Sequence, residues 1–153
     1  MKAKDVMVTD VPTVSVRTTV AEAVAVLKHN FGDESFINAA PGLIVLNERG
    51  SLAGILTPLS VITAMMEGKT SSGTDEERCA ALCDKIKSLP VSEIMEHQPI
   101  SVTEDAGLFD VADLFLKHRF QRVPVVSGKK VVGIIYRSRL LFAMTRSLET
   151  PAA

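Results

Sequence analysis

The chain has no tryptophan, a single tyrosine and two cysteines among 153 residues, and aromatics make up only 5% of it. That scarcity leaves no stacking platform of the kind single-stranded nucleic acid needs. Net charge is nearly absent too: 17 Lys plus Arg against 18 Asp plus Glu leave −1. Non-specific binding to nucleic acid rests on a clear basic excess, so nucleic acid is not expected as a partner. No apolar run approaches the roughly 20 residues that span a bilayer. The opening MKAKDVMVTDVPTV lacks the apolar stretch and cleavage pattern of a signal peptide. A cytoplasmic chain without membrane contact is expected. Cys79 and Cys83 are too few for a disulfide scaffold. They fall four apart on a predicted helix and share a face, but two thiolates are short of the four ligands structural zinc requires. His97 adds no supporting spacing. No metal site is expected, and the thiols read as buried packing groups. G-x-S-x-G, H-E-x-x-H and Gly-rich phosphate loops are all missing, so no catalytic residue is assigned and the chain is not expected to be an enzyme.

What the chain does have is hydrophobic residues, 46% of the total, and an internal repeat. The first is enough for one sizeable core. The second is seen by setting Val14-Ser15-Val16 beside Val102-Thr103-Glu104, a shift of 88 that also pairs Met7 with Met95, Val20 with Leu108 and Leu27 with Phe115. Further on, Gly54-Ile55-Leu56 matches Gly133-Ile134-Ile135 at a shift of 79. The first copy therefore carries about nine extra residues, most of them in Phe31 to Gly42.

Each copy starts with a short β-branched stretch, Thr13 to Val16 and Ile100 to Thr103. An amphipathic helix follows, with Val20, Ala23, Val24, Leu27 and Phe31 on one face in copy one. Leu108, Val111, Ala112, Phe115 and, less closely, Leu116 form that face in copy two. Glu104-Asp105 reads as its acidic start. Two apolar runs around a Gly-containing turn predict a hairpin: Leu43 to Leu46 with Leu52 to Leu56, and Val123 to Val126 with Val131 to Tyr136. A second helix closes each copy, near Pro58 to Glu67 and Ser138 to Ser147. His29 and His118 end equivalent helices as capping or surface groups. Between the copies, GKTSSGTDEE is a linker by composition, followed by a helix through Cys79, Leu82, Cys83 and Ile86 capped by Thr74 or Asp75. The predicted organisation is repeat one over 1–67, a linker over 68–90 and repeat two over 91–150. One sheet is too apolar to stand alone. The expected fold class is therefore α+β, two β-α-β-β-α repeats packed about a pseudo-twofold axis.

This ordered set, met twice at matching offsets, resembles a tandem pair of CBS (cystathionine-β-synthase-type) domains, a Bateman module. The matching text is TVSVRTTVAEAVAVL with LIVLNERGSLAGILTPLS in copy one and SVTEDAGLFDVADLFLKHRFQRVPVVSGKKVVGII in copy two. The resemblance implies a cleft between the repeats that takes an adenosine-containing ligand: AMP, ADP, ATP or S-adenosylmethionine. It implies a homodimer of modules and regulation of a separate enzyme or transporter, here without a fused partner domain.

The resemblance also implies site residues. The family pattern Gly, apolar, any, Thr/Ser, any, any, Asp places a hydroxyl and a ribose-reading carboxylate at a helix N-terminus. Copy one keeps Thr57 but has Ser60 where Asp is expected; copy two has Tyr136 and Arg139 at these positions. Thr57 followed by Pro58 is equally a cap plus first-turn pair, and both roles stand. Copy two is locally basic. Arg122, before Val123 and Pro124, and Arg137 and Arg139 at a helix start suit a phosphate, or a solvated face. Lys117, Lys129 and Lys130 read as solvated. Thr13 and Ser101 open the first strands, as ligand contacts or simple strand entries. The absent carboxylates motivate an alternative: a ligand-free structural and dimerisation module.

Overall fold

The computed structural model describes residues 1–31, 41–68 and 72–148. Most of the nine-residue excess of copy one, and residues 69–71 at the start of the linker, lie outside them. The described elements run α1 (Ala3–Val6), β1 (Thr13–Ser15), α2 (Val20–Phe31), β2 (Leu43–Leu46), β3 (Leu52–Leu56), α3 (Pro58–Glu67) and α4 (Asp75–Ile86). They continue with β4 (Glu96–His97), β5 (Val102–Thr103), α5 (Leu108–His118), β6 (Arg122–Ser127), β7 (Lys130–Tyr136) and α6 (Arg137–Met144). The fold is α+β with two sheets, ordered β1-β2-β3-β4 and β5-β6-β7.

Period explains the elements. Val20, Ala23 and Leu27 of α2 are buried, and Val24 and Phe31 are half-buried beside them. Thr19 starts the helix with a capping box: Glu22 N donates to Thr19 Oγ1 (3.2 Å) and Thr19 N to Glu22 Oε1 (3.4 Å). In the first hairpin Leu43 pairs with Leu56 and Ile44 with Ile55. Its turn closes because Asn47 Oδ1 accepts from Arg49 N (2.9 Å) and Ser51 N (3.0 Å), while Gly50 supplies the positive φ of +77°. Leu43, Val45, Leu56 and Val91 are fully buried here, each contributing about 1.5–3 kcal/mol. In the second sheet Val123, Val125 and Ile135 do the same.

The compact units do not follow the chain copy by copy. One gathers Met1–Val11 with the described residues from Ile100 to Leu148; the other gathers the described residues between Pro12 and Pro99. The leading segment of copy one thus completes the sheet of copy two. Val8 pairs antiparallel with Ile134, with Val8 N donating to Ile134 O (2.8 Å) and Ile134 N to Val8 O (2.9 Å). In the other unit β4 pairs with β3 in the same way, Glu96 opposite Ile55. These are equivalent pairs under the shifts of 88 and 79. They account for two of the matched sequence positions. A Cβ on Gly133 would lie 2.5 Å from Met7 Sδ and 2.9 Å from Val8 O. On Gly54 it would meet Met95 Sδ, and Glu96 O at 2.6 Å. The glycine and the methionine are one contact written twice.

Four expectations need correction. Leu116 is 77% exposed, because Val111, Ala112 and Phe115 carry the buried face of α5. Glu104-Asp105 does not start α5: the helix begins at Leu108, and Asp105 sits in the preceding turn between Lys2 Nζ (3.4 Å) and Lys4 Nζ (3.5 Å). The last helix starts at Arg137 and ends at Met144, with a separate 3-10 turn over Arg146–Leu148. Finally, Cys79 and Cys83 are exposed, not buried. Leu82 and Ile86 face inward instead, with Leu82 Cδ2 lying 2.8 Å from where a Cβ on Gly68 would be.

Candidate functional site

The strand-to-helix junction of copy one is built by Thr57. Its backbone is extended (φ −120°, ψ 163°), Pro58 follows at the first helical position, and its Oγ1 accepts from Ser60 N at 3.2 Å. Thr57 N donates back to Ser60 Oγ (3.2 Å), and the two hydroxyl oxygens are 3.0 Å apart. Ser60 therefore fills the carboxylate position with a capping-box partner. Of the two hydroxyl protons, one serves the bond between the oxygens and the other remains to donate outward. The pair is half-buried and opens on a cleft of about 330 Å³. Thr63, Glu67, Glu93, Met95 and Glu96 also line it. Three carboxylates and no cation in that lining make it hostile to phosphate. Thr13 is exposed at the same end of the sheet, since it pairs with Ile44, which pairs in turn with Ile55.

At the corresponding junction of copy two the side chain in the threonine position is buried, while Arg137 and Arg119 border an apolar cleft of about 420 Å³ with Leu140, Leu141 and Met144. Tyr136 is 3% exposed, opposite Arg122 in the β6–β7 register. Burial raises its phenol above the ordinary range; the Arg122 charge opposes this and Asp10 adds to it. Arg137 starts α6, but its guanidinium is spent on backbone: Nε donates to Phe120 O (2.9 Å) and Nη2 to Arg119 O (2.8 Å). This holds Arg119, whose left-handed φ of 54° ends α5. Arg122 Nη2 donates to Gln121 Oε1 (3.2 Å), and Arg139 is exposed. Val123 packs in the core of the second sheet and Pro124 is fully buried. Ser101 is half-buried just before β5. Lys117, Lys129 and Lys130 are exposed, as read from the sequence.

The structure thus brings Thr57 and Ser60 into contact beside a cleft, and places Arg122, a buried Tyr136 and a backbone-bound Arg137 together at the second junction. Sequence reasoning missed Glu67, Glu93 and Glu96. Glu93 and Glu96 reach the cleft only because the segment after α4 returns to the sheet of copy one, and only the Met7–Met95 match hinted at that. Among the described residues no helix is long and apolar enough to cross a membrane.

The family profile of the CBS domain matches residues 3–67 and 91–146. The CBS domain-containing protein YhcV of Bacillus subtilis is 31% identical over 133 residues, covering 86% of this chain and 77% of that protein. Among solved structures, the CBS-pair protein CBSX2 of Arabidopsis thaliana superposes with a TM-score of 0.75 at 22% identity, over 98% of each chain. The CBS domain pair of MJ0100, solved with 5′-methylthioadenosine and S-adenosylmethionine, gives a TM-score of 0.70 at 23% identity, over 96% of this chain and 98% of that one. The repeat, the α+β architecture and the matches to both copies lead to one conclusion: the chain belongs to the CBS domain family and carries a tandem CBS pair, a Bateman module.

Proposed function

We propose that the chain is a regulatory module, not an enzyme, that senses one adenosine-containing ligand through the junction of its first CBS repeat and modulates a separate protein. The observation that carries this is the asymmetry of the junctions. Thr57 and Ser60 open on a cleft with one hydroxyl proton to spare, whereas the Tyr136 phenol is buried and Arg137 is tied to the carbonyls of 119 and 120. Relatives of this fold were solved with AMP (CBSX2) and with 5′-methylthioadenosine and S-adenosylmethionine (MJ0100). The carboxylates of Glu67, Glu93 and Glu96 rank these chemistries. A phosphate is repelled, and a sulfonium or amine is attracted, so S-adenosylmethionine stands ahead of AMP, ADP and ATP. A thermal-shift series with the four compounds tests the reading. Ligand at 100 times its Kd adds about 2.7 kcal/mol. A larger shift with ATP than with S-adenosylmethionine contradicts the ranking.

A second reading is favoured by the exposed apolar helix faces. Leu59, Ile62 and Met66 of α3 are 71%, 55% and 70% exposed at helical spacing, and Leu141, Phe142 and Met144 of α6 are exposed as well. Such faces mark an interaction surface. They fit a homodimer of modules, in which assembly rather than a ligand carries the function. Light scattering that gives a monomer at micromolar concentration counts against it.

A further inference from the structure

Helices α5 and α6 line a cleft of about 420 Å³ that the adenosine reading does not use. It lies in the compact unit that does not contain Thr57, so its function is a separate question. Along α5 its wall is Ala112, Phe115, Leu116 and Arg119. Along α6 it is Arg137, Leu140, Leu141 and Met144. Both rows have the spacing i, i+3, i+4, i+7, one face of a helix, and each spans about 10 Å. They meet at their charged ends, because Arg137 donates to Arg119 O and Phe120 O. The cleft is thus sorted along its length, with two arginines at one end and apolar side chains over the rest. No carboxylate lines it, and among the described residues none pairs with Arg119. Arg137 is fixed by its two backbone bonds, which leaves Arg119 as the cation for a ligand. Arg119 also holds a left-handed backbone (φ 54°) that glycine would take with less strain, so a charged side chain is kept at this corner. Leu116, Leu141 and Met144 are exposed, which leaves apolar surface open to be covered.

Charge and shape select the occupant. Arg119 suits a carboxylate, which a guanidinium takes through two parallel N–H bonds. The rest of the ligand must be apolar and thin. A helix about 10 Å across would fill about 800 Å³ over that length, against the 420 Å³ of the cleft. An extended hydrocarbon, with carbon–carbon bonds of about 1.52 Å at about 111°, advances about 1.25 Å per bond, so about eight methylenes cover the row from the arginines to Met144.

We propose that the α5–α6 cleft binds one medium-chain carboxylate, its head on Arg119 and its chain along Leu116, Leu140, Leu141 and Met144. The test is calorimetric titration of the full chain with decanoate, which has a chain of that length, below its micelle concentration. The expected result is one decanoate bound per chain. Decanol, the same chain without the charge, should bind at least tenfold more weakly, and so should acetate, the head without the chain. Arg119→Gly relieves the left-handed residue and should melt no lower than the parent, yet weaken decanoate at least tenfold; Arg119→Lys should retain most of the affinity. Leu141→Gln, at an exposed position, should weaken decanoate without lowering the melting temperature. Decanol binding as tightly as decanoate marks an adventitious apolar contact only. That result, several decanoates per chain, an Arg119→Gly variant that binds like the parent, or no binding at all, as when a second copy covers the cleft, would each overturn the proposal.

Discussion

The exchange of leading segments makes a sharp prediction at Gly133→Ala. The new methyl carbon would stand 2.5 Å from Met7 Sδ and 2.9 Å from Val8 O. The thioether can swing away; the carbonyl cannot, because it accepts from Ile134 N at 2.9 Å. Relief requires Val8 to leave the sheet edge, losing both hydrogen bonds of the Val8–Ile134 pair at about 1 kcal/mol each. Residual overpacking costs about 1–3 kcal/mol. Replacing glycine in a strand returns about 0.5–1 kcal/mol. The net loss is about 2–4 kcal/mol, or a melting shift of about 5–15 °C for a chain of this length. Denaturant unfolding measures it, and hydrogen exchange localises it. The Val8 and Ile134 amides should lose protection, while those of Ile55 and Glu96, the equivalent pair in the other unit, keep it. Met7→Ala in the Gly133→Ala background should cost less than it does alone, with a coupling of at least 0.5 kcal/mol. Gly133→Ala within 0.5 kcal/mol of the parent, with additive behaviour at Met7, would refute the packing described.

Three further outcomes are expected. Ser60→Asp puts a carboxylate beside Thr57, where the helix start favours it, and by accepting from ribose hydroxyls it should tighten adenosine binding roughly 10- to 100-fold in calorimetry, since a charged hydrogen bond is worth about 1.5–3 kcal/mol; unchanged affinity means the ribose lies elsewhere. Thr57→Ala removes the cap and should cost about 1 kcal/mol in urea unfolding, with Thr57→Ser restoring most of it. Tyr136 is the sole tyrosine, and tryptophan is absent, so absorbance at the tyrosinate band reads it alone. Its folded-state pKa is raised. That stabilisation is therefore fully present below the unfolded-state pKa of about 10 and is lost as pH rises through the folded one. Half-titration of the native protein at or below pH 10 would contradict its burial.

Much of the fold was legible because the patterns are short and repeated. β2, β3 and α3 fall on the residues that the two apolar runs, the Asn47–Gly50 turn and the Thr57-Pro58 start predicted. What could not be read was non-local. Val8 and Glu96 join sheets far along the chain, and no periodicity in MKAKDVMVTDVPTV marks an edge partner. Asp105 looked like a helix start because its partners, Lys2 and Lys4, are about a hundred residues away in sequence. The cysteines looked buried because they share one broad face of α4 with Leu82 and Ile86, but only the Leu82–Ile86 edge of that face is covered and the thiols stay exposed. At the junctions, the residue types showed that the two copies differ. Only the geometry showed how: one leaves a hydroxyl proton over an open cleft, and the other buries its tyrosine and ties its arginine to backbone carbonyls.

The central claim, one adenosine-ligand site per chain at the first repeat, is tested most directly by calorimetric titration of the purified protein with S-adenosylmethionine. The account predicts one equivalent bound per chain, weakened at least tenfold in Thr57→Ala and unaffected in Arg139→Ala. Two equal sites per chain, or no binding of S-adenosylmethionine, AMP, ADP or ATP, would contradict it.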